Sequence, residues 1–264
     1  MLTPNNPEEF TIWSTDDTCG LFTSHIEQWY ISNQNNLFAT LTDSIFYSDL
    51  PQLLGRSATT YKQSHRTSLF AFDRRPRLEL DRKKYTSFVE KLYRQNVLEN
   101  PRFPEAPETG WISLNNAFRK IDDIVRTTIV VAYADGPGFI AGQIKEFADA
   151  HGLNAAIKDH SKDKGYYAHH VYIHLPMHAS SPKNATEYPK IDVPIEIQIT
   201  TELQGALREI THRLYEHERL TGIQQDWKTQ FKSNRFRAAY MAHSLRFIEA
   251  MIVELRDGFT EDGQ

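Results

Sequence analysis

Cysteine is nearly absent. Cys19 is the only one in 264 residues, which excludes an internal disulfide framework and a cysteine-based zinc centre. Long apolar runs are missing too: no stretch approaches the roughly 18 residues of a membrane helix, and the first residues lack the basic start and apolar core of a secretory leader. Neither charge dominates. Thirty lysines and arginines stand against 34 acids, a formal net charge of -4, so there is no global nucleic-acid signature and any such contact must rest on local basic patches. There is no repeat with a period of about 20–50 residues. What remains is a chain that is 40% hydrophobic and 24% charged, with a mean hydropathy of -0.54. It is long enough to bury a proper core, and the cytoplasm is its expected location.

The first 20 residues are polar and without periodicity, an irregular lead-in. Between 21 and 65, apolar clusters such as Leu37-Phe38-Ala39 and Leu53-Leu54 predict short helices. Basic residues then concentrate at Arg74, Arg75, Arg77, Arg82, Lys83 and Lys84. Tyr85, Phe88, Val89 and Leu92 predict a helix over 81–98, with Lys83, Ser87, Lys91 and Arg94 along another face. Prolines 101, 104 and 107 make 99–110 an irregular connection. Strands are expected at 127–133, 154–158, 166–175 and 190–199. Helices are expected at 139–151, at 201–220 with Leu203, Leu207, Ile210 and Leu214 buried, and at 234–256. The order predicts an α+β fold, a mixed sheet flanked by helices.

Alternation along a strand sorts the polar residues. In 195–200, Ile195, Ile197 and Ile199 face one way and Glu196, Gln198 and Thr200 the other. In 166–174, Tyr166, Ala168, His170, Tyr172 and His174 share a face. The first set reads equally as a solvated sheet face or as a site; for the second, aromatic cross-strand packing with a satisfied histidine is the commoner reading. A zinc centre from His169, His170, His174 and His178 lacks any recognised ligand spacing. The basic face at 83–94 is a solvated surface unless it meets the carboxylates. Cations facing acids across a cleft are the parts of a phosphate-plus-magnesium site.

In order along the chain stand Lys83-x3-Ser87-x3-Lys91, Asp123-Ile124, Lys158-Asp159, Gly165-Tyr166-x3-His170, Glu196-Ile197-Gln198-x2-Thr201 and His212. Taken together, these resemble the synthetase domain of RelA/SpoT proteins, pyrophosphokinases that make the stringent-response alarmones. The match covers about residues 76–222. The resemblance implies a nucleotidyltransferase-like synthetase fold over 76–222, with a mostly helical extension at 1–75 and a C-terminal helix at 223–264 packed on it.

It also implies that Asp123 and Glu196 are catalytic and hold magnesium on ATP. Lys83, Ser87, Lys91, Arg94 and Arg126 would bind the ATP phosphates. Tyr166, His170, Lys158, Lys162, Gln198 and His212 would bind the acceptor, with the Tyr166 ring stacking on its base. The expected reaction moves the β,γ-diphosphate of ATP to a ribose 3′-hydroxyl, without a hydrolase activity.

The chain departs from the family pattern at three positions. Arg126-Thr-Thr128 has arginine where the family has a small residue and threonine where it has arginine, and Thr200 replaces a second arginine. This resembles the toxic small alarmone synthetases, some of which modify the 3′ CCA end of tRNA. The expected acceptor is therefore tRNA, with a guanosine or adenosine nucleotide as the alternative. A non-catalytic RNA- or partner-binding module on the same fold is a further reading. Phe236, Tyr240, Phe247, Ile248, Met251, Ile252 and Leu255 give the last helix an apolar face, most simply packed on the domain. A neutralising antitoxin or a second subunit would be the alternative occupant; no membrane partner is expected.

Overall fold

The computed structural model describes residues 3–71, 78–162, 165–184, 186–221, 228 and 230–261; the side chains of 161, 162, 212–221, 260 and 261 lie outside the description. Its centre is a mixed sheet of β1 (Asp81–Arg82), β2 (Val125–Val131), β3 (Asn154–Lys162), β4 (Tyr166–His178) and β5 (Lys190–Thr201), in the order β1-β2-β5-β4-β3. Strands β2 and β5 are parallel and the other pairings antiparallel. Long β4 and β5 pair from His169↔Ile199 to His178↔Lys190.

The two faces differ in kind. Val171, Ile173, Ile195, Ile197, Ile199, Val125 and Ile129 are buried on one. Against it packs α6 (Gly136–Ala150), whose Ile140, Ala141, Ile144 and Ala148 are fully buried at helical spacing. The other face carries the polar alternates.

Before the sheet come α1 (Pro7–Trp13), α2 (Ile26–Thr42) and α3 (Ile45–His65). The lead-in is therefore not irregular throughout, and 21–65 holds two long helices rather than short ones. Helix α1 is capped by the Asn6 side chain. The buried stripe of α2 includes Asn33 and Gln34 among Trp29, Tyr30, Leu37 and Leu41, so its period is hidden from an apolar count. Those polar residues brace the end of the edge strand and the loop after β4. Gln34 Nε2 and the Tyr30 hydroxyl both donate to the Lys83 carbonyl at 2.7 Å, and Asn33 Oδ1 accepts from Ser180 N–H at 2.8 Å.

The helix expected over 81–98 is divided. Residues 81–82 form the edge strand, α4 spans Tyr85–Tyr93, and a π-helical turn completes the segment at Arg94–Leu98. Lys83 thus precedes the helix, its N–H donating to the Ile124 carbonyl at 3.0 Å. Arg94 opens the π turn, and its side chain pairs with Glu99. After α5 (Ala117–Lys120) and the sheet, α7 (Glu202–Thr221) and α8 (Asn234–Glu261) close the chain.

Both final helices reverse the expected burial. On α7, Leu207 is buried, but Leu203 and Ile210 are exposed, and Gln204 and Thr211 face inward; the Leu214 side chain lies outside the described residues. On α8, Phe236 is half-buried, whereas Tyr240, Phe247, Ile248, Met251, Ile252 and Leu255 are exposed. Its inward residues are Arg235, Ala238, Ala239, Ala242, Glu249 and Arg256. The physical reason lies in the neighbours, which offer polar partners. The Arg256 guanidinium donates to the Tyr61 hydroxyl at 2.5 Å and to Asp135 at 3.0 and 3.1 Å, and Glu249 accepts from Thr201 and Gln204.

Burial alone raises the Asp135 carboxyl, yet hydrogen bonds from Arg256 and Tyr61 hold it below the usual carboxylate range. An acid with a depressed folded-state value contributes stability that is complete above its unfolded value and is lost as pH falls through the folded one. Asp135→Asn is therefore expected to flatten the acid limb of unfolding below about pH 4. Ellipticity followed through an acid titration checks this, and a limb identical to wild type would refute it.

Candidate active site

The polar face of the sheet gathers residues from four strands. Register sets Arg126 beside Glu196 and Thr128 beside Gln198. Tyr172 pairs with Glu196 and His170 with Gln198, while Lys158 pairs with His170 and Lys162 with Tyr166. Neighbours in register share a face, so among the described side chains a carboxylate, an amide, an imidazole, two phenols and two cations lie on one surface.

Glu196 is buried and held at both oxygens. His170 Nδ1 approaches Oε1 at 2.6 Å and the Tyr172 hydroxyl donates to it at 3.3 Å. Gln198 Nε2 donates to Oε2 at 2.8 Å, and Arg208 Nη1 of α7 donates to Gln198 Oε1 at 2.5 Å. With the Nδ1 proton directed at Glu196, His170 Nε2 accepts from the Tyr166 hydroxyl at 2.8 Å. An unbroken chain therefore runs from Arg208 through Glu196 to Tyr166. Burial raises the Glu196 carboxyl, but His170 and Gln198 outweigh it and hold it below the ordinary range. Burial and the Glu196 charge push the Tyr172 phenol far up, so it remains a donor.

Asp123 sits in the loop before β2, clamped by Lys83 Nζ and Lys91 Nζ, each at 2.8 Å. Burial opposes ionisation, yet Lys91 and Lys83 hold its carboxyl far below the usual range. Burial in turn pulls the Lys83 ammonium down despite Asp123. The adjoining Asp122 is raised, chiefly by burial and also by Glu196 and Asp123, with Lys91 and Lys158 opposing.

Solved structures have this architecture. The small alarmone synthetase 1 of Bacillus subtilis matches with a TM-score of 0.54 and 18% identity, over 86% of this chain and 97% of that one. The chain has the fold of the small alarmone synthetases. The Bacillus protein bound to its product pppGpp matches at 0.54 and 19%, over 89% and 98%. A GTP pyrophosphokinase family protein from Streptococcus pneumoniae matches this synthetase fold at 0.51 and 18%, over 91% and 97%. No family model matches the sequence, and no curated protein matches it.

Within that fold, Lys83, Lys91 and Asp123 come together, as do Glu196, Gln198, His170 and Tyr166. Lys158 Nζ lies 4.8 Å above the Tyr172 ring. Ser87 is half-buried on α4, in the turn before Lys91. Arg126 is on the site face, its Nε 3.6 Å from Asp81. Arg94 is turned to Glu99 at 3.0 Å and does not join the lysines. The side chains of Lys162 and His212 lie outside the described residues, as do Arg74, Arg75 and Arg77. The histidines do not form a zinc centre, and among the described residues no group of three or more ligating side chains is placed for a metal. His169 faces away and meets Asp159 at 2.6 Å, and His178 Nδ1 meets the Tyr188 carbonyl at 2.9 Å.

Three site residues escape a reading of the sequence: Asp122, His160 and Arg208. The His160 ring lies 4.1 Å from that of His170, centroid to centroid. Its signal was the continued alternation of β3 beyond 158. Arg208 carried no local signal, because its partner Gln198 belongs to a strand.

Proposed function

We propose that the chain is a magnesium-dependent pyrophosphokinase that transfers the β,γ-diphosphate of ATP to a ribose 3′-hydroxyl and releases AMP. The observation that carries this reading is the pairing of a lysine-clamped Asp123 with a hydrogen-bonded, ionised Glu196 on the open face of a synthetase-fold sheet. Asp123 and Glu196 are oxygen donors, and magnesium takes one or two carboxylates plus substrate phosphates, so these residues fit it without a larger cluster. When bound, that ion offsets the charge on the transferred phosphates.

Lys83, Lys91 and Arg126 supply cations to the donor phosphates, with Ser87 as a hydroxyl donor on the helix that carries Lys91. Glu196, fixed at both oxygens, orients the attacking 3′-hydroxyl and takes up its proton. The 3′-oxygen bonds to the β-phosphorus, the α–β bridging bond breaks, and AMP leaves with the bridging oxygen. Catalysis is mainly positioning and electrostatics.

Tyr166, with His170 behind it, is the stacking platform for the acceptor base, and Lys158 is the cation beside it. Tyr166→Ala is expected to weaken acceptor engagement by about 1–3 kcal/mol, seen as a raised acceptor KM with donor KM unchanged. An acceptor KM equal to wild type would return Tyr166 to sheet packing.

For the acceptor we favour the 3′ end of a tRNA, whose modification blocks translation. Support comes from Thr200, which donates to the Tyr167 carbonyl at 3.2 Å and brings no charge where the family has arginine. A guanosine nucleotide is the second reading, favoured by Arg208, a guanidinium that reaches the same face from α7. Transfer of label from γ-labelled ATP to tRNA, GTP, GDP and adenosine nucleotides separates them. No label transfer and no AMP release with any acceptor would sink the enzyme reading and leave a binding module.

A further inference from the structure

Gln198 stands between two charges. It is buried, with the Glu196 carboxylate at one end of its amide and the Arg208 guanidinium at the other. An amide has a donor end and an acceptor end of nearly the same shape, so its partners decide which way it faces. Here both partners agree. An ionised carboxylate only accepts, and a guanidinium only donates. Turning the amide over would set oxygen against oxygen and N–H against N–H, losing two charge-assisted hydrogen bonds at once.

The consequence falls on Glu196. His170 and Tyr172 hold its Oε1, and Gln198 alone of these reaches Oε2. The last torsion of a glutamate is broad, so contacts on a single oxygen leave the carboxylate plane free to twist. The contact on the second oxygen fixes it. That contact depends on Arg208, because among the described residues no other group donates to Gln198 Oε1. Without the guanidinium this oxygen is a buried acceptor lacking a partner, and the amide is released to turn. Helix α7 sets the reach. Thr201 ends β5, and its hydroxyl accepts from the Gln204 N–H at 3.3 Å. Leu207 is buried beside Arg208. The helix thus leaves the strand in a fixed direction, and Arg208 reaches back ten residues to Gln198.

We propose that Arg208 is a positioning residue for the transfer: acting through the Gln198 amide, it fixes the plane of the Glu196 carboxylate toward the attacking 3′-hydroxyl. The proposal rests on the reading of Glu196 as the group that orients that hydroxyl. Arg208 then acts on the rate of the chemical step and not on the binding of either substrate. A guanidinium that held acceptor phosphates would do the reverse, and a mere tie between α7 and the sheet would do neither.

Arg208→Met tests this, since it keeps the apolar stem and removes the donors. AMP release with labelled ATP and each acceptor is expected to show kcat lowered by about 10–100-fold, the effect of a slight misplacement of a reacting group. Donor and acceptor KM are expected to stay at the wild-type values, with circular dichroism unchanged. In a Gln198→Ala background the same substitution is expected to lower kcat no further, because the intermediary is gone. Arg208→Lys, which retains a charged donor, is expected to recover part of the loss. A further readout needs no turnover: in proton–nitrogen correlation spectra the Gln198 side-chain amide protons exchange slowly with solvent in the wild type and fast in Arg208→Met. A wild-type chain that releases no AMP with any acceptor would sink the reaction reading and this proposal with it. With an active wild type, the proposal alone is overturned by an Arg208→Met kcat equal to wild type, by a raised acceptor KM with kcat kept, by an equal loss in the Gln198→Ala background, or by amide protons that remain slow.

Discussion

Glu196→Gln is expected to lower diphosphate transfer by about 10²–10³-fold while shifting the melting temperature by only a few degrees. The amide fills the same volume, and its oxygen still accepts from His170 and the Tyr172 hydroxyl. What it loses is the negative charge and the capacity to take a proton. Its new N–H₂ would also meet the N–H₂ of Gln198, now 2.8 Å from Glu196 Oε2. Gln198 must then turn its oxygen inward, which takes the acceptor away from Arg208. AMP release with each acceptor is the measurement, with circular dichroism as the control for folding. Activity near wild type would mean that Glu196 is a structural acid and that the proton leaves by another route.

Gly165→Ala is expected to cost about 2–5 kcal/mol of stability, by strain and overpacking together. Gly165 has φ +84°, a conformation that side chains rarely adopt. A methyl there would stand 2.4 Å from the Ala242 side chain and 2.8 Å from the Ala239 carbonyl oxygen. One obstacle is backbone and neither is a flexible chain end, so α8 would have to lift. Chemical denaturation of the purified variant gives the loss. Ala242→Gly removes the nearer obstacle, so the double variant is expected to recover part of it. A Gly165→Ala protein as stable as wild type would mean that α8 does not pack on this turn.

The strands were legible because isoleucines recur at every second position from Ile195 to Ile199 and leave Glu196 and Gln198 on the opposite face. β3 was read too short because Lys158 to Lys162 is polar, and on a site-facing strand polarity does not end the element. Helix α2 was obscured by Asn33 and Gln34, which are buried to bind backbone rather than to fill space. The same cause misled the reading of α7 and α8, where apolar residues were assigned to the core. Those helices lie on polar surfaces, so arginine, glutamine and glutamate turn inward. The acids and lysines of the candidate site stood out in the sequence by type and order. That Lys83 and Lys91 close on Asp123, and that Arg94 does not join them, depends on where α4 starts and on the pairing of Arg94 with Glu99, neither of which has a sequence period.

The hold of α2 on Lys83 bears on how the molecule can be divided. The Lys83 carbonyl takes two hydrogen bonds from Tyr30 and Gln34, and its side chain clamps Asp123. A fragment cut to the span of family resemblance would keep every motif residue and lose the scaffold that aims one of them. The smallest portable catalytic unit therefore begins no later than Ile26, and grafts, truncations and chimaeras of this protein have to carry that helix with them.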